Sequence, residues 1–144
     1  MTYEDYASYI KWRADLLMSG RLEDLARHYE LPTEIDLAGR KVTLTGRDDV
    51  VLHLHRSRLA YRARGIEVLQ SHITAIELPT ATQRVWINWS ALDACGAVVG
   101  HAQSIYTMNR SRSGFRVKAI ENPTLLVPEF ALPHYRNRLI RSRA

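Results

Sequence analysis

The stretch from Arg84 to Ile120 limits what this chain can fold into more than any other, because its side chains keep changing sides. It reads RVWINWSALDACGAVVGHAQSIYTMNRSRSGFRVKAI. Val85, Ile87 and Trp89 recur at every second position, the mark of a strand with one buried face. After Gly96 and Gly100 the alternation resumes through Ala102, Ser104, Tyr106 and Met108. It breaks at the polar segment Asn109 to Gly114 and restarts at Phe115, Val117 and Ala119. Two strands joined by a short polar turn make an antiparallel hairpin. A further strand in front of them makes a meander, whose inner face must be covered by what lies upstream.

Upstream, Thr2 to Ser19 reads as a helix. Tyr6, Tyr9, Ile10, Arg13, Ala14 and Leu17 share a face at three- and four-residue spacings, and Gly20 closes it. Leu22 to Tyr29 reads as a short second helix stopped by Pro32. Thr33 to Thr45 reads as a hairpin turning at Ala38-Gly39-Arg40. Gly46 to Arg64 is a third helix opened by Asp48 and Asp49, with Val51, Leu54, Arg58 and Tyr61 on one face. Ile66 to Leu78 is a strand, followed by a turn at Pro79-Thr80-Ala81-Thr82. Beyond Glu121, Pro123, Pro128 and Pro133 fall at five-residue intervals and exclude regular structure. The expected division is a domain over 1–121 and an extended, proline-containing segment over 122–144.

A length of 144 residues suits one domain with one core. No window approaches the ~20 apolar residues that span a bilayer, and the start MTYEDYASYIKWRADLL is not a secretory signal. The single cysteine, Cys95, excludes an internal disulfide and paired-cysteine zinc motifs, so a cytoplasmic protein is expected. The net charge of +5 sits mainly in the tail, where Arg136, Arg138, Arg141 and Arg143 meet no acid; without them residues 1–133 carry +1. No aromatic code for nucleic acid accompanies that tail, so neither nucleic acid nor membrane is an expected partner.

Helices first and a meander last make an α+β order, with the helices on one face of a curved antiparallel sheet and a conical pocket between them. Here the text itself becomes familiar. GRLEDLARHYELPTEI, then TGRDDVVLHL, then SIYTMNRSRSGFRVKAIE resemble the NTF2-like superfamily, in particular its SnoaL-like domains, across residues 3–121. Arg21 stands where that family often has Asp, and Phe115 where it often has Trp. The resemblance implies an NTF2-like cone. It also implies a range of activities, including isomerases, dehydratases, epoxide hydrolases, polyketide cyclases and members that only bind. The ketosteroid isomerases of the superfamily use a helix tyrosine, an aspartate base and a protonated strand aspartate. The matching positions here hold Arg13, Leu37 and Tyr106, and Leu37 cannot take a proton.

The residues carry two site readings. In the first, Arg13 and Tyr106 bind an anionic group, with Tyr9 and Trp86 as aromatic ligand-binding neighbours. Against it, Arg13 pairs internally with Asp36 or another acid, or extends to the rim. In the second, Asp36 and His55 form a catalytic acid–base pair working through water, suited to a hydratase or an epoxide opening. His55 follows Val51 by one turn on the apolar side, whereas His53 points elsewhere. No histidine spacing forms a metal site, and no Gly-rich loop cradles a nucleotide, so neither metal nor cofactor is expected. The leading reading is a small-molecule-binding protein of undetermined specificity. Its catalysis, if any, would be lyase, isomerase or hydrolase chemistry without a cofactor. The alternative is a homodimeric association module joined through the sheet, whose outer face carries either Trp86 with Asn88 or the Val85, Ile87 and Trp89 set.

Overall fold

The computed structural model describes residues 2–77, 82–112 and 114–127. The arginine tail, Pro128, Pro133 and the turn residues Pro79 to Ala81 lie outside them. Three helices come early: α1 Tyr3–Ser19, α2 Leu22–Ala26 and α3 Arg47–Ala63. The strands are β1 Tyr29–Leu37, β2 Arg40–Leu44, β3 Val68–Glu77, β4 Thr82–Leu92, β5 Val98–Ser111 and β6 Gly114–Thr124. They form one curved, unclosed sheet in the order β2-β1-β6-β5-β4-β3. The meander has four strands rather than three, and the β1–β2 hairpin joins it through a parallel β1–β6 pairing.

The two long helices, α1 and α3, begin where the sequence supplies a cap. Thr2 Oγ1 accepts from Asp5 N–H while Asp5 Oδ2 accepts from Thr2 N–H, a reciprocal capping box for α1. Asp49 does the same work for α3, accepting from Thr45 N–H, Thr45 Oγ1 and Gly46 N–H. At the far end of α1, Gly20 takes φ +82, the left-handed conformation that a side chain resists. Helix α2 ends three residues earlier than its apolar spacing suggests. The reason is tertiary: the carbonyl of His28 accepts Val117 N–H, so β6 captures the chain before another helical turn can form. Pro32 therefore lies inside β1, between the paired residues Tyr29 and Glu34, where β6 needs no donor from it.

The inner face of the sheet is the alternating one. Val85, Ile87, Trp89 and Ala91 of β4 are buried, as are Ala102, Ser104 and Met108 of β5. Helix α1 lays Tyr6, Ile10, Arg13 and Ala14 over them, and α3 adds Val50, His53, Leu54 and Ser57. In β6 the alternation changes phase. Thr107 pairs with Ala119 and Met108 with Val117, so Lys118 is an extra residue, a β-bulge. Phe115 and Val117 face inward before it, whereas Ile120 faces inward after it. Strand β6 then runs on through Pro123 to Thr124, beyond the expected boundary at Glu121. The proline is tolerated at a second register shift, opposite Gln103 to Ile105. Among the described residues, no helix is long and apolar enough to cross a membrane.

Candidate functional site

The helices and the inner sheet face enclose a cavity of about 100 Å³. That is several times the ~10–15 Å³ a single water needs. Its lining is mostly apolar, from Ala14, Leu17, Leu54, Trp89 and Ile120 among others, and Leu125 and Leu126 cover it from beyond β6. Among the described residues, no Asp or Glu lines it.

Arg13 is the exceptional residue. It is 4% exposed, yet it carries a charge that no aqueous pH removes. It sits there because α1 places it one turn from Tyr9 and Ile10, on the face that meets the sheet. Three tyrosines surround it. Its Cζ lies 4.7 Å from the Tyr29 ring centroid, 5.4 Å from Tyr106 and 5.7 Å from Tyr9. Ring faces attract a cation most strongly where water is excluded. Nη1 donates to the Tyr9 hydroxyl at 3.4 Å, and that hydroxyl donates in turn to the Phe115 carbonyl at 3.2 Å. Nε is buried without a hydrogen-bond partner. Burial opposes the charge of Arg13, but the three surrounding tyrosines outweigh it, so its pKa is raised. Burial pushes Tyr106 up to about 12 and raises Tyr29, with Arg13 pulling against both shifts. At neutral pH these two are neutral hydroxyls beside a permanent cation.

The second polar feature is a chain of hydrogen bonds across the sheet floor. Trp89 Nε1 donates to Ser104 Oγ at 3.2 Å, and Ser104 Oγ donates to Asn122 Oδ1 at 2.8 Å. Asn122 Nδ2 then donates to the Asp36 carbonyl at 2.9 Å. The third is His53 on α3, buried against the cavity beside Ser57. Desolvation lowers its pKa to about 4, with Arg56 adding to the shift, so the ring is neutral at pH 7.

The structure brings Arg13, Tyr106 and Tyr9 together, with Arg13 and Tyr106 on the cavity itself. Leu37, at the position of the isomerase base, lines it too. The other expected site residues lie elsewhere. Asp36 alternates with the inward Ile35 and Leu37, so it faces the outer side, where its Oδ1 accepts Gly39 N–H at 2.7 Å and holds the β1–β2 turn. His55 is exposed, because the buried face of α3 runs through Val50, His53 and Ser57 rather than through Val51. The expected Asp36–His55 pair is thus not assembled, and the two alternatives for Arg13 that used Asp36 or the rim also fail. Trp86 is corrected as well: it lies on the outer face with its ring 4.8 Å from Arg84 Cζ, while Trp89 takes the cavity. Among the described residues, no group of three or more His, Cys, Asp or Glu is placed to hold a metal ion. Tyr29, His53 and Asn122 are site residues that the periodicity did not single out, whereas Ser104 stands on the inward alternation of β5 with Tyr106.

Comparison with known proteins bears on the fold. The profile of a family described as NTF2-like protein (DUF6841) matches residues 2–124. Among solved structures, an NTF-2 like protein of unknown function from Shewanella oneidensis MR-1 superposes with a TM-score of 0.66 at 12% identity, over 85% of this chain and 98% of that one. An NTF2-like protein with a cystatin-like fold from Novosphingobium aromaticivorans gives 0.63 at 17% identity, over 95% and 87%. A protein from Catenulispora acidiphila, solved in complex with S-DNPA, gives 0.59 at 14%, over 83% and 92%. No curated protein matches the chain. At such identities the likeness is one of fold.

Proposed function

This chain belongs to the NTF2-like protein family (DUF6841), and on that footing we propose that it binds a small anionic organic ligand in its central cavity, with Arg13 as the anchor. One observation carries the reading. Among the described residues, a guanidinium is buried in an apolar cavity among neutral tyrosines, with no carboxylate in the lining and with Nε unpartnered. Burying a charge costs several kcal/mol unless an opposite charge or a full set of hydrogen bonds compensates. Ring faces and the tyrosine hydroxyls hold the charge but leave Nε without an acceptor, and a carboxylate would supply one by taking Nε and an adjacent N–H in a two-point contact. Tyr106 supplies a neutral donor beside it. The Catenulispora acidiphila neighbour, as a complex with S-DNPA, is in keeping with a ligand-holding use of this fold.

Three compounds of one size but different charge test this: benzoate, benzamide and benzylamine. Benzoate is expected to raise the thermal midpoint, since a ligand at 100 times its Kd stabilises by about 2.7 kcal/mol. Benzamide is expected to act weakly, and benzylamine not at all. Stabilisation by the amine equal to that by the acid would overturn the proposal.

A further inference from the structure

The cavity has a second fixed polar point, one inward step along β5 from the Tyr106 ring that lies against Arg13. Ser104 and Tyr106 occupy successive inward positions of β5, so they are displaced by about 7 Å at ~3.4 Å per residue. The Arg13 guanidinium lies over the Tyr106 ring. Ser104 marks the other end, and it works as a pair with Asn122, which the bulge at Lys118 brings to the inner face.

The carboxamide of Asn122 is held at both ends but not fully used. Its Oδ1 accepts the Ser104 hydroxyl hydrogen, and one of its two Nδ2 hydrogens goes to the Asp36 carbonyl. Trp89 Nε1 fixes Ser104 in turn. Because Oδ1 is pinned on Ser104 and Nδ2 on a backbone carbonyl, the amide cannot flip without losing both bonds. The other Nδ2 hydrogen has no acceptor among the described residues, and Asn122 is part of the cavity lining. A donor held in place at the edge of an apolar cavity selects strongly. It rewards a ligand oxygen placed there and penalises a ligand that covers it with carbon.

We propose that Asn122 is the specificity-determining residue of the cavity. Its remaining amide hydrogen donates to an oxygen set about 7 Å from the acid group of a rigid, largely apolar ligand, at ~3.4 Å per strand residue. A para-hydroxylated or para-oxo aromatic acid has this form. The inference rests on the Arg13 reading, which supplies the acid end. Ser104 and Trp89 are positioning residues, since they act through Asn122.

Calorimetric titration with benzoate, 4-hydroxybenzoate and 4-methylbenzoate tests it on the wild type, Asn122→Ala and Arg13→Met proteins. The hydroxy acid is expected to bind the wild type about fivefold to tenfold more tightly than the methyl acid, the effect of one added hydrogen bond. That preference is expected to vanish in Asn122→Ala, where the hydroxy and methyl acids bind within about twofold of each other. A residue that only brackets β1 to β5 would instead weaken all three acids alike. In Arg13→Met all three are expected to weaken by about 100-fold. Equal affinity of the wild type for the hydroxy and methyl acids would overturn the inference without any variant having to fold. The Arg13 reading would still stand if Arg13→Met weakened both to that extent. A preference surviving in Asn122→Ala would also overturn it. Failure of every acid to bind the wild type would overturn both proposals together.

Discussion

Replacing Arg13 with Met is expected to cost about 100-fold in benzoate affinity, the usual scale for removing one partner of a desolvated charge pair, while leaving stability nearly unchanged. The two halves of that result have separate causes. In the free protein the guanidinium pays a desolvation penalty of several kcal/mol. Against that stand three ring contacts, at 4.7, 5.4 and 5.7 Å, worth about 0.5–2 kcal/mol each. The opposing quantities are similar, and Met fills much of the same volume, so the unfolding free energy is expected to move by less than ~1 kcal/mol. In the proposed complex the balance is expected to differ, because a carboxylate would meet the charge and the Nε that has no partner among the described residues. Urea denaturation and calorimetry on the same preparation check both halves. A variant that lost several kcal/mol of stability and kept its benzoate affinity would show that Arg13 is structural.

The second large effect is a loss of stability in acid that belongs to His53. The ring is 8% exposed, and burial lowers its pKa to about 4 from an ordinary 6.5. The folded state therefore resists a proton that the unfolded chain accepts. Between pH 6.5 and 4 the unfolded state binds more protons, so stability falls as pH falls through that window. Above 6.5 both states are neutral and the contribution is complete. A shift of this size corresponds to about 3 kcal/mol at 1.36 kcal/mol per unit. His53→Gln, which cannot gain the charge, is expected to lack that part of the acid loss. Denaturant midpoints of both proteins from pH 7.5 to 4 decide it, and parallel curves would contradict it. His28, whose pKa burial also lowers, is common to both proteins and cancels from the difference.

The sequence carried the sheet better than the site. Period-2 alternation was enough to find β4, β5 and the start of β6, because those strands bury one face and expose the other. It could not find Asn122. By strict alternation from Phe115 and Val117, Ala119 and Glu121 would face inward, and only the extra residue at Lys118 reverses this. A bulge leaves no periodic trace, since it is a matter of pairing with β5. The histidine assignment failed for a related reason. Val50 and Val51 are both apolar, and either could start the buried stripe of α3; the choice fell to Asp49, whose capping contacts turn that residue inward. With Asp49 as the cap setting the phase of α3, the buried histidine is His53 rather than His55. Trp86 and Trp89 posed a similar choice, and here β4 contained the answer. Trp89 shares its side with Val85 and Ile87, while Trp86 alternates with them.

Arg13 was legible as an anomaly, a charge on an apolar helix face, but its surroundings were not. Tyr29 comes 16 positions later, in a segment whose spacing suggested helix. It meets the guanidinium only because β6 draws the chain at His28 into a strand. Tyr106 arrives on the same inner face from β5, two strands from β1, by the alternation of that strand. Two of the three ring contacts, those of Tyr29 and Tyr106, have long sequence separation, and such contacts are what local patterning omits.

The most direct test of Arg13 as anchor is an NMR titration that follows its own Nε–H signal, assigned by its disappearance in Arg13→Met. In uniformly 15N-labelled protein, adding benzoate is expected to move that signal strongly downfield, as a charge-assisted hydrogen bond forms. The shift should saturate at the same Kd as calorimetry. An Nε–H signal that stays in place at saturating benzoate, while signals of the outer hollow at Trp12 and His28 move instead, would contradict the claim.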